Sequence, residues 1–430
     1  MTTPRQDIRN PQPPPSQRER LPWRHVPALL TSAPGRCRLR KMLLDPVEPI
    51  LWKAAGVKRR ALPRNHRLVA VTGSYGKTTT ARAVRCALGL PIGPTAGPNA
   101  RYALAWSLMR QPGRDAFSVF EVGIGSPGQM EPMARAFRPD IAVVTSVGGE
   151  HASAMRTLET TRDEKSRLVR ALSPSGVAVL NGDDPNVRWM AGCSRGGVIT
   201  FGYEDDNDVR AEGVELDWPH GTRLTISSGD WRATVTVRLV GRHSVLAILA
   251  GVAVAKAAGI NLDSAIARLS TLAPSPARME VVALNNGAHL LRDEHKSGLE
   301  TIHAALDLFE QIPARRRLIV LGEMTEPPSP QRQHHVNVGR RVAPLVSRAI
   351  LVGHTGKGFR TGLKQGGLPR EAIIEGGFGW RGTYDALAGS LEPGDVVLIK
   401  GRHDQRLERV ALALMGRQVR CDLPLCNTPL

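Results

Sequence analysis

The sequence predicts an α/β protein, a doubly wound P-loop central domain followed by a smaller Rossmann-like C-terminal domain, and three observations predict it. From Arg67 onward, short apolar runs alternate with longer stretches of helical pattern. A glycine-rich loop directly follows the first of these runs, and the alternation begins afresh beyond residue 276. With 430 residues, 41% of them hydrophobic, the chain can fill two or three separate cores. The expected divisions are a basic, proline-rich N-terminal extension (1–66), a central domain (67–273) and a C-terminal domain (274–430).

Residues 1–35 hold eight prolines and few apolar side chains, too little burial to offset ordering, so they are expected to be loose. Residues 38–60 predict a short basic helix with Leu43, Leu44, Ile50, Leu51 and Val57 as its greasy positions, interrupted by Pro46 and Pro49. Such a helix more often packs on the next domain than lies on a membrane. Buried parallel strands are expected at 68–72, 118–122, 141–146 and 177–181. The stretch 198–239 alternates polar and apolar residues, as in Thr234, Val235, Thr236 and Val237, and predicts antiparallel strands. An Ala-rich helix over 245–258 should stop at Gly259, and 271–276 reads as a hinge. Further buried strands are expected at 318–322, 349–353 and 396–400.

The net charge of +19 is concentrated at the N-terminus, where residues 1–67 carry 15 Lys and Arg against 4 Asp and Glu. Coulomb attraction would draw that segment to an anionic membrane surface or an acidic partner; the alternative is a solvated tail. It lacks the interleaved aromatics of a nucleic-acid reader, which disfavours that class of partner. No run approaches the roughly 18 consecutive apolar residues of a membrane span, and no signal sequence is evident. The expected location is cytoplasmic, with peripheral contact at the inner membrane face left open. Five cysteines without CxxC spacing speak against a zinc site or a disulfide framework.

Chemistry is concentrated first in Val71-Thr72-Gly73-Ser74-Tyr75-Gly76-Lys77-Thr78-Thr79-Thr80, which lies after a strand and opens a helix. Gly73 and Gly76 let backbone N–H groups of Ser74, Tyr75 and their neighbours curl around phosphate oxygens, and the helix N-terminus adds positive potential. Lys77 would neutralise the terminal phosphates, and Thr78, followed by Thr79, offers a hydroxyl to Mg²⁺. Val71 stands where the usual motif has its first glycine. Glu121 ends an apolar run, which places a carboxylate at the carboxyl edge of the sheet, where ligands bind.

In this form the loop resembles that of the Mur ligase superfamily, and further motifs continue the resemblance in order from residue 68 to the C-terminus. Phe120-Glu121-Val122-Gly123 with Pro127-Gly128 resembles an element whose glutamate helps hold magnesium. Gly149-Glu150-His151 resembles a strand end with a metal-binding histidine, and Lys165 occupies the place of a lysine that the family carbamylates. The resemblance therefore implies a metal set of Thr78, Glu121, His151 and modified Lys165, a shell of oxygens and imidazole suited to Mg²⁺. Asn181-Gly182-Asp183-Asp184 matches a shaping turn. Gly241-Arg242-His243-Ser244-Val245 resembles the segment beside the adenine, with Ser244 and Ala247 where relatives usually carry asparagines. Arg278 in Ala277-Arg278-Met279-Glu280 would reach the nucleotide phosphates. Asp293 in Arg292-Asp293-Glu294-His295-Lys296-Ser297-Gly298 would contact the ribose. Segments 320–326 and 399–402 parallel two signatures that could face the cleft.

The nearest branch of the superfamily adds D-alanyl-D-alanine to a muramoyl tripeptide. The resemblance implies an ADP-forming acid–amine ligase using ATP and Mg²⁺, with small-molecule or peptide carboxylate and amine substrates joined through an acyl-phosphate. Lys77, Lys165, His151 and Arg278 would carry the chemistry, and Glu323 and His295 are candidates for the general base. Residues 1–67 contain two glycines, Gly35 and Gly56, and no βαβ pattern for a nucleotide sugar. The leading expectation is therefore a non-muramoyl acid. The alternatives are a cell-wall ligase whose sugar domain is missing or supplied separately, and a nucleotide-binding scaffold that has lost catalysis.

Overall fold

Residues 46–93, 101–150 and 152–419 are described in the computed structural model of the chain. The first sheet contains β1 (Arg67–Thr72), β2 (Phe117–Glu121), β3 (Ile141–Val144), β4 (Val177–Asn181), β5 (Gly197–Gly202), β6 (Val209–Asp217), β7 (Gly221–Ser228) and β8 (Trp231–Val237). Their order is β2-β1-β3-β4-β5-β6-β7-β8, parallel through β6 and antiparallel from β6 to β8. Side chains of β1 alternate between two cores because successive Cβ atoms point to opposite faces. Val69 and Val71 pack with α2 (Lys77–Ala87), α6 (Arg242–Ala258) and α7 (Leu262–Ser270), whereas Leu68 and Ala70 pack with α1 (Glu48–Arg60), α3 (Arg101–Met109), α4 (Met130–Phe137) and α5 (Leu158–Arg170). Cover on both faces explains why β1, β3 and β4 read as unbroken apolar runs, while β8 has one solvated face and alternates.

Helix α1 does pack on the central sheet, and of its expected apolar positions Leu51 is half-buried against that core whereas Ile50 and Val57 are not. Trp52 and Ala55 are buried, with the Trp52 ring 5.7 Å from Phe137, while Ile50 and Val57 are 66% and 59% exposed. Arg59 fastens the helix by donating to the Phe137 carbonyl (2.9 Å) and pairing with Asp140 (2.7 Å). The large Trp52 ring sets the inward stripe. Leu43, Leu44 and residues 1–35 lie outside the described residues. Helix α6 begins three residues ahead of the expected start, at Arg242, and ends at Gly259 in the left-handed region (φ 72°). Segment 271–276 has neither helix nor strand, and Arg82 tethers it through the Ala273 carbonyl (3.0 Å) and the Ser275 hydroxyl (2.8 Å).

The second sheet contains β9 (Glu280–Ala283), β10 (His289–Asp293), β11 (Arg317–Leu321), β12 (Arg348–Val352), β13 (Ile373–Gly377) and β14 (Val396–Lys400), in the order β13-β12-β11-β14-β10-β9. All are parallel except β9, which runs against β10. Its helices are α8 (Leu299–Gln311), α9 (Gln331–Val342), α10 (Gly356–Gln365), α11 (Trp380–Leu387) and α12 (Glu408–Leu414). Strands β11, β12 and β14 match the expected runs to within a residue, whereas β9, β10 and β13 were not foreseen. Strand β9 buries none of its residues fully, β10 carries His289, Arg292 and Asp293, and β13 ends in two glycines, so none presents a clean apolar run.

Topology places the site. In the first sheet the chain leaves β1 for β2 on one side and returns to β3 on the other, which opens a crevice beyond the carboxyl ends of β1 and β3. In the second sheet β10 and β14 are paired so that Asp293 lies opposite Lys400 at their carboxyl ends. Among the described residues no helix is long and apolar enough to cross a membrane.

Candidate active site

The loop after β1 is built from backbone geometry. Gly73 (φ 150°) lies so close to β3's exit that an added Cβ would sit 1.9 Å from Thr145 Oγ1. Gly76 (φ 79°) is the N-cap of α2 and no side chain caps that end, which leaves the helix's first N–H groups directed at the crevice. The segment after β3 clamps the loop. Ser146 Oγ accepts from the Tyr75 N–H (2.9 Å), Thr145 Oγ1 donates to the Tyr75 carbonyl (2.5 Å), and Ser74 Oγ accepts from the Gly148 N–H (2.8 Å). The strand expected through Ser146 stops at Val144, which frees Thr145 and Ser146 for this work.

Lys77 Nζ donates to the carbonyls of Gly73 (2.6 Å) and Ser74 (2.9 Å) and pairs with Glu150 (3.3 Å). Burial lowers the pKa of its ammonium below the ordinary lysine value, and Glu150 opposes that. Thr78 Oγ1 donates to Glu121 Oε2 (2.8 Å), so a hydroxyl and a carboxylate share one point beside the loop. Lys165 is 3% exposed on α5 and does not line the cleft itself. Burial, reinforced by the like charge of Lys77, pushes its ammonium down to about 7. Its neighbour Glu164 accepts from the Met130 N–H (2.8 Å) and pairs with Arg167 (3.3 Å). His151 lies outside the described residues.

The other wall comes from the second sheet. Arg278 sits half-buried between two residues with left-handed backbone, Ala277 (φ 57°) and Met279 (φ 50°). Such conformations cost energy in non-glycine residues and persist only where the surroundings hold them. Here the Glu280 carboxylate accepts from the Ala277 N–H (3.0 Å) and Asp293 from the Met279 N–H (3.3 Å). Burial lowers the Arg278 pKa, against the pull of Glu121, Asp293 and Glu150. Asp293 forms a buried ion pair with Lys400, whose ammonium also donates to the Lys296 carbonyl (2.8 Å). Lys296 pairs with Glu150, and Glu300, in the first turn of α8, accepts from the Tyr75 hydroxyl (2.6 Å) and the Gly149 N–H (3.1 Å).

Together these walls enclose a cleft of about 330 Å³, within the range of small-molecule sites. Its lining includes the loop from Ser74 to Thr80, Glu121, Arg278 and Lys296 on the one hand, and Phe201, His243, Ser244, Leu246, Ala247 and Ala304 on the other. This mixture of phosphate-binding and apolar groups fits a nucleoside triphosphate. Among the described residues no three His, Cys, Asp or Glu side chains gather to hold a metal by themselves. Thr78 and Glu121 still suit Mg²⁺, which commonly takes one or two protein ligands and completes its shell with phosphate and water.

Of the residues singled out from sequence, Ser74, Tyr75, Gly76, Lys77, Thr78, Thr79, Glu121, His243, Arg278 and Asp293 line the cleft, and Gly73 shapes its loop. Burial lowers the His243 pKa below the ordinary imidazole value, against the pull of Asp293. Two further candidates fare worse. His295 is pushed down to about 3 by burial and by Arg278, so it stays neutral and is a poor proton acceptor. Glu323 is held by the His354 N–H (2.9 Å) near Arg402 (3.7 Å) and does not line the cleft. Glu150, Lys296 and Lys400 stood inside motifs yet drew no role of their own. Glu300 had no sequence signal at all, being an ordinary acid in a helix's first turn.

The model of the Mur ligase middle domain matches residues 71–255, and that of the Mur ligase glutamate ligase domain matches residues 277–403. A UDP-N-acetylmuramoyl-tripeptide–D-alanyl-D-alanine ligase of Mycobacterium bovis is 30% identical over 378 residues, covering 81% of this chain and 73% of its own length. The enzyme of that name from Escherichia coli is 25% identical, covering 90% and 85%. Among solved structures, the MurF ligase of Thermotoga maritima in complex with ADP superposes with a TM-score of 0.74 at 22% identity, covering 86% of this chain and 83% of that one.

Proposed function

The chain belongs to the Mur ligase family, and from that footing we propose that it is an ATP-dependent, ADP-forming ligase that joins a carboxylate to an amine through an acyl-phosphate. One observation carries the reading: Lys77 and the Thr78–Glu121 pair share a single cleft with Arg278, Asp293 and Lys400 of the second sheet. Nucleotide and Mg²⁺ would supply a transferable phosphoryl group with its charge partly neutralised.

The chain's own part is positioning and electrostatics. Lys77 and the uncapped N-terminus of α2 support a triphosphate site, Thr78 and Glu121 support one metal position, and His151 with Lys165 would serve a second. A lysine lowered to about 7 has much of its amine neutral near pH 7, the form that adds CO₂, in keeping with the carbamate that the family resemblance implies. Arg278, His243 and Asp293 would hold the phosphates and nucleoside from the opposite wall. Contacts across the cleft, such as Lys296 with Glu150 and Tyr75 with Glu300, would help shield an acyl-phosphate from hydrolysis.

For the substrates, relatives named for D-alanyl-D-alanine addition favour a peptidoglycan-precursor acid with D-alanyl-D-alanine as amine. A second reading, a non-muramoyl acid, is the alternative that the choice of substrates below separates from the first. A cytoplasmic site of action suits either, and the basic N-terminal residues favour contact with an anionic surface or an acidic partner.

The test is ADP release measured with carboxylate and amine pairs, including UDP-muramoyl tripeptide with D-alanyl-D-alanine, and mass spectrometry of the product. Release that requires both substrates supports a ligase, and the productive pair decides between the two acids. Lys77→Ala should abolish release and weaken magnesium-nucleotide binding; equal binding by wild type and variant would refute the reading.

A further inference from the structure

Lys77 has three N–H donors. Two go to the Gly73 and Ser74 carbonyls and hold the side chain in the loop; the third points at Glu150. That third direction is the one open to a terminal phosphate oxygen. The other oxygen of the same carboxylate meets Lys296, which arrives from the opposite wall. Glu150 thus bridges two ammonium groups from two sheets, as a phosphate would. The charge of this carboxylate also acts on Lys165 and Arg278.

We propose that Lys296 is a second cationic ligand of the terminal phosphoryl group, and that Glu150 holds its place between Lys77 and Lys296 until the nucleotide binds. The inference rests on the triphosphate reading of the cleft. Lys296 is well anchored for the task. Its carbonyl accepts from Lys400 (2.8 Å), Lys400 is paired with Asp293, and the next residue, Ser297, accepts from the Thr325 N–H (2.8 Å). The ammonium is therefore delivered by a fixed segment, and it reaches the phosphate site only when both walls are in contact. Its charge would be felt most by the γ-phosphate and much less by a diphosphate, because Lys77 holds the loop side of the site.

The test compares affinities, so it does not depend on turnover. Calorimetric dissociation constants are measured with Mg²⁺ for a non-hydrolysable triphosphate analogue and for ADP. Lys296→Ala should weaken the triphosphate analogue about tenfold and leave ADP within about twofold, as expected for loss of one charge-assisted hydrogen bond. Lys296→Arg should keep most of the affinity. Glu150→Gln should bind the triphosphate analogue more tightly than wild type, because it removes a competing negative charge from a sparingly solvated site. Equal weakening of both nucleotides by Lys296→Ala, or no change in either, overturns the proposal. If Lys296→Ala does not fold, Glu150→Gln decides: unchanged or weaker binding of the triphosphate analogue overturns it. Loss of triphosphate selectivity in Lys296→Ala cannot be confused with failure of the broader reading, which would show as undiminished binding by Lys77→Ala.

Discussion

The two walls of the cleft are made of different materials. The wall that follows β1 is backbone, a loop shaped by Gly73 and Gly76 and clamped by Thr145 and Ser146. The wall from the second sheet is long side chains in ion pairs, Asp293 with Lys400 and Lys296 with Glu150, joined by the Tyr75–Glu300 hydrogen bond. Backbone fixed by sterics is formed before a ligand arrives and suits tight binding of an anion. Charged side chains can exchange partners, which suits a wall that must respond to what has bound.

The difference can be broken most forcefully at Gly73. Gly73→Ala sets a methyl group against Thr145 Oγ1 and the Ser146 nitrogen, at a φ that L-residues rarely adopt, and should lower magnesium-nucleotide affinity by about 100-fold or more through distortion of the phosphate loop. Adding Thr145→Ala should restore only part of the affinity in a calorimetric titration, since the backbone strain remains. On the second wall, Asp293→Asn leaves Lys400, 1% exposed, facing a neutral partner, and should cost about 3 kcal/mol in urea unfolding. A loss well below 1 kcal/mol would mean that this wall does not depend on its charges.

Lys165, behind the first wall, offers a pH-dependent test that is smaller at each single unit of pH. Its folded-state pKa of about 7 lies below the ordinary lysine value, so the unfolded chain binds the extra proton between about pH 7 and 10.5. Stability contributed at this site should therefore rise with pH across that window, by about 1.4 kcal/mol per pH unit, and be flat below it. Lys165→Met should reduce the slope, with the part due to Lys77 left in place, in denaturation experiments run without carbonate. The smallest effect belongs to Tyr75→Phe, which deletes the hydroxyl bridging the walls. It should slow turnover by about threefold and change stability by less than about 1 kcal/mol, because the bond is exposed.

Much of the first wall was legible in the sequence because its function is local. A strand, two glycines, a lysine and a threonine in one run of residues dictate a phosphate loop, and Glu121 ends the next strand by the same logic of apolar runs. Parallel strands buried on both faces likewise announced themselves at β1, β3, β4, β11 and β14. The inward face of α1 did not, because it depends on Phe137, which is 85 residues away from Trp52 in the chain.

What the sequence alone determined, then, was the alternating α/β order, the phosphate loop and the family resemblance, all written in short stretches of neighbouring residues. Only the tertiary structure decided that Glu150 would bridge Lys77 and Lys296, that Glu300 would meet Tyr75, and that Asp293 would pair with Lys400. Each of these is a pairing of charges or polar groups between strands and loops far apart in the chain. Coulomb and hydrogen-bond partners are chosen by distance in space, and that distance exists only after both sheets have folded and met.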